Sequence, residues 1–339
     1  MNTTKIIRSL CYFSHALHPD LEDRLATLSG QLGDAGYAIQ TRRLCFLGQR
    51  IIDLDAAFPD PDLYVSAGGL DRKNASRQFD DFIRAKNTAF HRPLTNVRDE
   101  DISLLFDIIR TRPEKTFSFT YTFCNAPSSP YFPSAHFEKE GFALGLQPTD
   151  SAAGCDTLEE WLLRMMTVWS ELAYLFRDRH DFLGIDSSIA PLFTGDSSLI
   201  HHIRRWCGSF SRSVTLPVYL KITEFIRTRN PRPVGLCGIM FPCLEDFELA
   251  EEYEAGRFSV ERNIYLSLHS GLGIDTYPVG VDESPETVRN ILEILSRLAH
   301  KYQKPLSARF VSDGKARIGD KTNFGNPYLK DVTVRGLQE

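Results

Sequence analysis

The sequence predicts an α/β protein built on a parallel sheet, open or closed, and three observations carry that prediction. Short apolar runs alternate with amphipathic stretches along the chain, and most runs stop at a turn signal. The 339 residues are 42% hydrophobic and 24% charged, which supplies apolar surface for a large core and excludes a disordered or fibrous chain. No obvious linker divides the chain, although its length would allow two average domains or one large barrel.

The elements follow in order. Ile6–Phe13 reads as a strand and Pro19–Leu32 as the helix after it, with Gly36 as a stop signal before a second strand over Tyr37–Phe46. Asn96–Ile109 has helical spacing. Phe117–Phe123, aromatic and Thr-rich, is a strand, and Phe142–Leu146 a shorter one. Thr157 with Glu160 forms a capping box for a helix over Thr157–Arg177. Its stripe of Leu158, Trp161, Leu162, Met165, Met166, Trp169, Leu172 and Leu175 reads as core. Phe182–Ile185 is a strand and Ser197–Trp206 a helix. Val234–Phe241 is a strand, followed by a helix from Asp246 to Ala255 and another over Ser259–Leu268. Leu272–Ile274 is a short apolar run, Ser284 caps a helix reaching Tyr302, Lys304-Pro305 ends it, and Leu306–Val311 is the last core strand. The Pro-rich stretch at about residues 124–137 carries Tyr131 and Phe132, and reads as an ordered loop that packs, an interface or a lid.

Composition narrows the function classes. Lys plus Arg 39 against Asp plus Glu 44 gives a net charge of −5, without the basic excess expected of a duplex nucleic-acid binder. No apolar run approaches the ~20 residues of a membrane span. The N-terminus, beginning Met1-Asn2-Thr3-Thr4, lacks the apolar core of a signal peptide, so the expectation is a cytoplasmic protein. Seven cysteines without a Cys-x-x-Cys pair indicate neither a disulfide framework nor a zinc ribbon. The nine histidines contain no His-x-x-x-His pair; His201 and His202, being adjacent, should point about 100° apart on a helix and are not expected to share an ion.

In parallel α/β folds reactive groups gather where strands end. Three apolar runs here end in acids: Phe182–Ile185 at Asp186, Cys237–Leu244 at Glu245 and Asp246, and Leu272–Ile274 at Asp275. Asp246 opens a helix and is expected to cap it. Asp186 and Asp275 are flanked by small residues and read as functional, either in acid–base work or, with Glu245, around a hard cation such as Mg²⁺ or Ca²⁺. Gly195-Asp196-Ser197 precedes a helix and offers either an anion seat or a cap at Asp196. His269 is either a core histidine or a proton carrier beside Asp275, with Ser270 next to it as a binding candidate; no Gly-x-Ser-x-Gly elbow is present. Of Arg42 and Arg43 on one strand, one must face inward, where it needs a carboxylate from the protein or from a substrate.

Val234–Asp246, Gly271-Leu-Gly-Ile-Asp275-Thr-Tyr-Pro278 and Lys304-Pro-Leu-Ser-Ala-Arg309 resemble consecutive signatures of the uncharacterised domain of unknown function 711 family. Gln40–Arg43, Pro130–Pro133, Asp186–Pro191, Gly195–Ser197 and Gly319–Thr322 agree in order and spacing. The resemblance implies a single domain over residues 1–339, a ten-stranded α/β barrel like that of pyruvate formate-lyase and other glycyl radical enzymes. It does not imply radical chemistry: Val334-Arg335-Gly336-Leu337 only superficially echoes the radical motif. Many relatives carry Cys-x-x-Gly-Leu-Asp where this chain has Ser270–Asp275, which argues against a thiol mechanism, and Leu192-Phe193 replaces a more polar pair.

Three functional readings follow. The first is an enzyme of non-radical acid–base chemistry (hydrolysis, elimination or isomerisation) on a small anionic metabolite. It uses Asp275, Asp186 and His269 as catalytic groups, with Arg43, Gly195, Asp196, Ser197 and Ser270 holding substrate. The second is a Mg²⁺- or Ca²⁺-dependent variant using Glu245, Asp186 and Asp275. The third is a non-catalytic metabolite sensor or assembly subunit. None involves nucleic acid or membrane, and a homo-oligomer is compatible with each.

Overall fold

The computed structural model describes residues 5–338, so the expectation resting on Met1–Thr4 lies outside the described residues. The architecture is mixed α/β around a ten-stranded sheet. In chain order the strands are β1 (Lys5–Ser14), β2 (Tyr37–Ile39), β3 (Arg42–Phe46), β4 (Leu63–Gly69), β5 (Thr88–Pro93), β6 (Phe119–Phe123), β7 (Gly141–Leu146), β8 (Phe182–Asp186), β9 (Gly273–Pro278) and β10 (Leu306–Val311). In space they run β8-β7-β1-β3-β4-β5-β6-β10-β9, with β2 paired beside β3 on β1.

The directions differ from an all-parallel sheet. Strands β1, β3, β4, β5 and β6 are mutually parallel. The pairs β7–β8 and β10–β9 are each parallel within themselves but join this block antiparallel, through β1 and β6. No ladder joins β8 to β9. Between these two edges the segment 233–246 makes isolated bridges, Ile185 to Pro233 and Ile189 to Ile239 on one side, Ile239 to Gly271 and Pro242 to Asp275 on the other.

That segment was expected to be a strand over Val234–Phe241, and its failure to form one has a local cause. Gly235 and Cys237 have φ of +72° and +44°, and the amides of Leu236 and Cys237 turn inward to the Asp186 carboxylate instead of a neighbouring strand. The expected strand over 37–46 is likewise split, because the chain steps at Gln40-Thr41 between its pairings to two parts of β1. The stretch between Phe46 and Asn96, which apolar patterning left unassigned, contributes β4 and β5.

The helices mostly follow their signals. Thr157 caps Leu158–Leu175 through the Glu160 amide at 3.2 Å, while the Glu160 carboxylate reaches back to the Asp156 amide at 2.8 Å. Trp161, Met165, Trp169 and Leu172 of its stripe are buried, whereas Met166 is half-buried and Leu175 exposed. Ser284 caps Pro285–Tyr302, and Asp246 caps Phe247–Glu254. No helix among the described residues is long and apolar enough to cross a membrane.

Alternation sorts β1 and β3 between two faces. Leu10, Tyr12, Leu44 and Phe46 join the large core, while Cys11, Phe13 and Cys45 pack on the opposite face with Ala135, Phe137 and Ala143. The 124–137 loop therefore plugs the second face. Tyr131 donates to the Leu146 carbonyl at 2.9 Å, and a Cβ on Gly145 would lie 2.7 Å from the Tyr131 ring, so the loop seats only over a glycine.

Candidate functional site

A cavity of about 270 Å³ opens on that second face. Its charged wall is built by strand irregularities. The register of β1 against β7 shifts between Ile7 and Ser9, which places Arg8 at a bulge and turns it into the cavity instead of the outer core. A second shift between Ala308 and Phe310, with Thr276 at φ +39°, presents Asp275 and Arg309 together. Arg43 needs no such device, since it shares the inward face of β3 with Cys45.

The ionic order is explicit. Glu245, nearly buried, receives Arg8 at 3.0 Å on one oxygen and Arg309 at 2.6 Å on the other. Arg309 also donates to Asp275 Oδ1 at 2.6 Å, and its guanidinium lies over Phe117. Among the described residues Asp275 Oδ2 accepts no hydrogen bond, so one carboxylate oxygen remains available at the cavity wall. Among the described residues Arg43 has no carboxylate partner. It donates to the Thr41 hydroxyl at 2.9 Å and the Pro130 carbonyl at 3.4 Å, and lies 5.0 Å from the Phe132 ring centre and 5.9 Å from that of Tyr64. Burial, then repulsion from Arg8, lowers its pKa to about 10. Arg42 faces the other way and pairs with Asp60 at 3.3 Å.

The structure thus brings Arg43, Asp275 and Glu245 to one cavity and leaves the other predicted residues elsewhere. Asp186 is fully buried and accepts five hydrogen bonds, from the Ser129 hydroxyl, the Ser188 amide and hydroxyl, and the Leu236 and Cys237 amides, at 2.6–3.2 Å. Glu245 and Asp275 line the cavity and Asp186 does not. His269 lies outside the cavity, half-buried, with Nδ1 2.9 Å from the Ser270 hydroxyl and its ring against Tyr265. Burial, and then the Lys304 charge, lowers its pKa. Ser270 shares its hydroxyl with Thr223 at 3.2 Å.

Gly195–Ser197 forms a short turn outside the cavity. The Gly195 amide donates to Glu248 at 3.1 Å, and the Ser197 hydroxyl donates to Asp150. The following helix, Leu199–Cys207, is capped by Ser198, and its first amides, on Leu199 and Ile200, point at the Asp246 carboxylate. The acceptor at that helix start is the protein's own.

Strand-end reasoning missed Arg8, Arg309, Tyr64 and the loop aromatics. Arg8 and Arg309 carried the signal already used for Arg43, a guanidinium inside an apolar strand. The rim argument itself applies differently here. In the five-strand block the cavity is met by Arg8, Arg43, Tyr64, Ala89 and Thr120, all in the first halves of their strands and not at the carboxyl-terminal rim.

The profile of the family described as "Uncharacterised ACR (DUF711)" matches residues 115–326, well over half of the chain. A UPF0210 protein of Acetivibrio thermocellus is 25% identical over 146 residues, which are 42% of this chain. That alignment spans 32% of the relative's own length.

Proposed function

The chain belongs to the DUF711 family, and on that premise we propose that it binds a small anionic metabolite in its cavity and acts on it by acid–base chemistry. One observation carries the reading: Arg43, at the wall of an apolar-lined cavity, has two carboxylates within the same wall and pairs with neither. A guanidinium in such surroundings is costly to bury unpaired, and a ligand carboxylate or phosphate supplies the missing partner in a two-pronged geometry. Phe132 and Tyr64 hold the guanidinium plane in place, so little ordering is required when the anion arrives.

Asp275 is the proton acceptor in this proposal. Arg309 fixes one of its oxygens and leaves the other to face the ligand. Glu245 is occupied on both oxygens and serves to space Arg8 from Arg309. Hydrolysis, elimination and isomerisation all use such a base beside an anchored anion. Asp186 acts through position, holding the wall segment 234–238. The cavity is lined from β1, β3, β4, β5, β6, β9, β10 and the segment 233–246, which supports reading the sheet as a barrel with that segment as its closing stave.

A second reading, a metabolite sensor, is favoured by the same ion network: of four carboxylate oxygens in the wall, three already accept from arginine. One experiment separates the two. Calorimetric titration with small carboxylates and phosphates should detect a ligand that Arg43→Met no longer binds. Asp275→Asn should keep that ligand, and NMR of the ligand pool should show conversion by the wild type only. Unchanged binding by Arg43→Met overturns the anion site; tight binding without conversion by the wild type leaves the sensor.

A further inference from the structure

Two residues beyond Phe193, the turn Gly195–Ser197 meets the first turn of the helix Leu199–Cys207. There Asp196, His201 and His202 each offer a ligand atom, and these atoms lie within 4.8 Å of one another. Adjacency in a helix argued against the histidines acting together. The side chains nevertheless converge, with ring centres 5.2 Å apart and edge to face.

Hydrogen bonding sorts the ring nitrogens. Nε2 of His202 lies 2.9 Å from the Asp196 carbonyl oxygen, which only accepts, so Nε2 carries the hydrogen and Nδ1 holds the lone pair. His202 is fully buried, and that Nδ1 has no partner. Nδ1 of His201 lies 3.4 Å from Glu248, which leaves its Nε2 on the far side of the ring. His202 thus has one nitrogen held by a protein acceptor and one free, the arrangement that holds metal-bound histidines in a fixed tautomer. The Asp196 carboxylate is exposed and accepts no hydrogen bond among the described residues. Nearby Asp150 has a buried, unpartnered Oδ2.

We propose that this turn is a binding site for a divalent transition-metal ion of the zinc class, held by the two imidazoles and the Asp196 carboxylate with a fourth position open to solvent. Two nitrogens and one oxygen suit zinc, cobalt or nickel better than magnesium or calcium. The ion ties the turn carrying Asp196 to the helix that follows it. It is separate from the cavity, which none of the three residues lines.

The test uses the full chain after chelator treatment. Titration with Co²⁺, followed by its visible absorption, and with Zn²⁺ against a chromophoric chelator should each reach one equivalent. Asp196→Ala and His201→Ala, both at solvent-accessible positions, should weaken Zn²⁺ binding about tenfold or more while melting like the metal-free wild type. Zn²⁺ should raise the melting temperature of the wild type and not of Asp196→Ala. Less than one equivalent on the wild type, or unchanged affinity in Asp196→Ala, overturns the site.

Discussion

Asp186, behind the cavity wall, and Arg43, in it, occupy opposite electrostatic situations. Asp186 is a buried charge saturated by five donors. Removing it leaves those donors without an acceptor, so Asp186→Ala should lose about 3–5 kcal/mol in urea denaturation, with or without ligand. Arg43 is a half-buried charge with no carboxylate partner among the described residues. Arg43→Met should therefore melt at or above the wild-type temperature while losing ligand, the pattern of a site whose strain serves binding. A charged residue inside an apolar strand was the legible signal for Arg43. What the sequence withheld was the direction of each acid, because Asp186 and Asp275 both follow short apolar runs and only the path of distant chain decides which one faces donors and which a cavity.

At the scale of elements, capping chemistry was the most readable layer. Thr157, Asp246 and Ser284 all cap as their sequence contexts predict, since caps depend on residues within one turn. Asp246 does more than its local sequence shows. Its carboxylate accepts from Glu248 and Leu249 in its own helix and from Ser198, Leu199 and Ile200 at the start of another. Burial pushes its pKa up to about 7, from an ordinary 3.8. The folded chain thus keeps a proton that the unfolded chain has released. The resulting stabilisation is complete below about pH 4 and is lost as pH rises through 7. Asp246→Ala should cost about 2 kcal/mol, one cap at each of two helices, and the gap to wild type should be wider at pH 4.5 than at pH 8. Where elements were misread, at 37–46 and 234–241, the chain is apolar enough for a strand, but its amides serve a step or a buried carboxylate.

For the molecule as a whole, alternation of strands and helices was legible, whereas strand direction was not, because nothing local tells β7 to enter antiparallel to β1. The strand order also leaves the two edges β8 and β9 joined only through 233–246. The amides of Ile239, Met240, Cys243 and Leu272 are all hydrogen-bonded across that seam. Hydrogen exchange should find them protected to within about tenfold of β1 and β10 amides if the seam opens only with the whole sheet. Loop-like exchange there would show that the seam opens on its own.

The spatial order β7-β1-β3 and β6-β10-β9 sets a timetable for vectorial synthesis. Arg8 leaves the ribosome before Glu245, and Glu245 before Arg309. A nascent chain can bring Glu245 to Arg8 while the other oxygen still awaits its guanidinium, and the gap beside β6 stays unfilled until β10 arrives. A chain that stops before β10 therefore lacks the Ser307–Arg309 wall of the cavity.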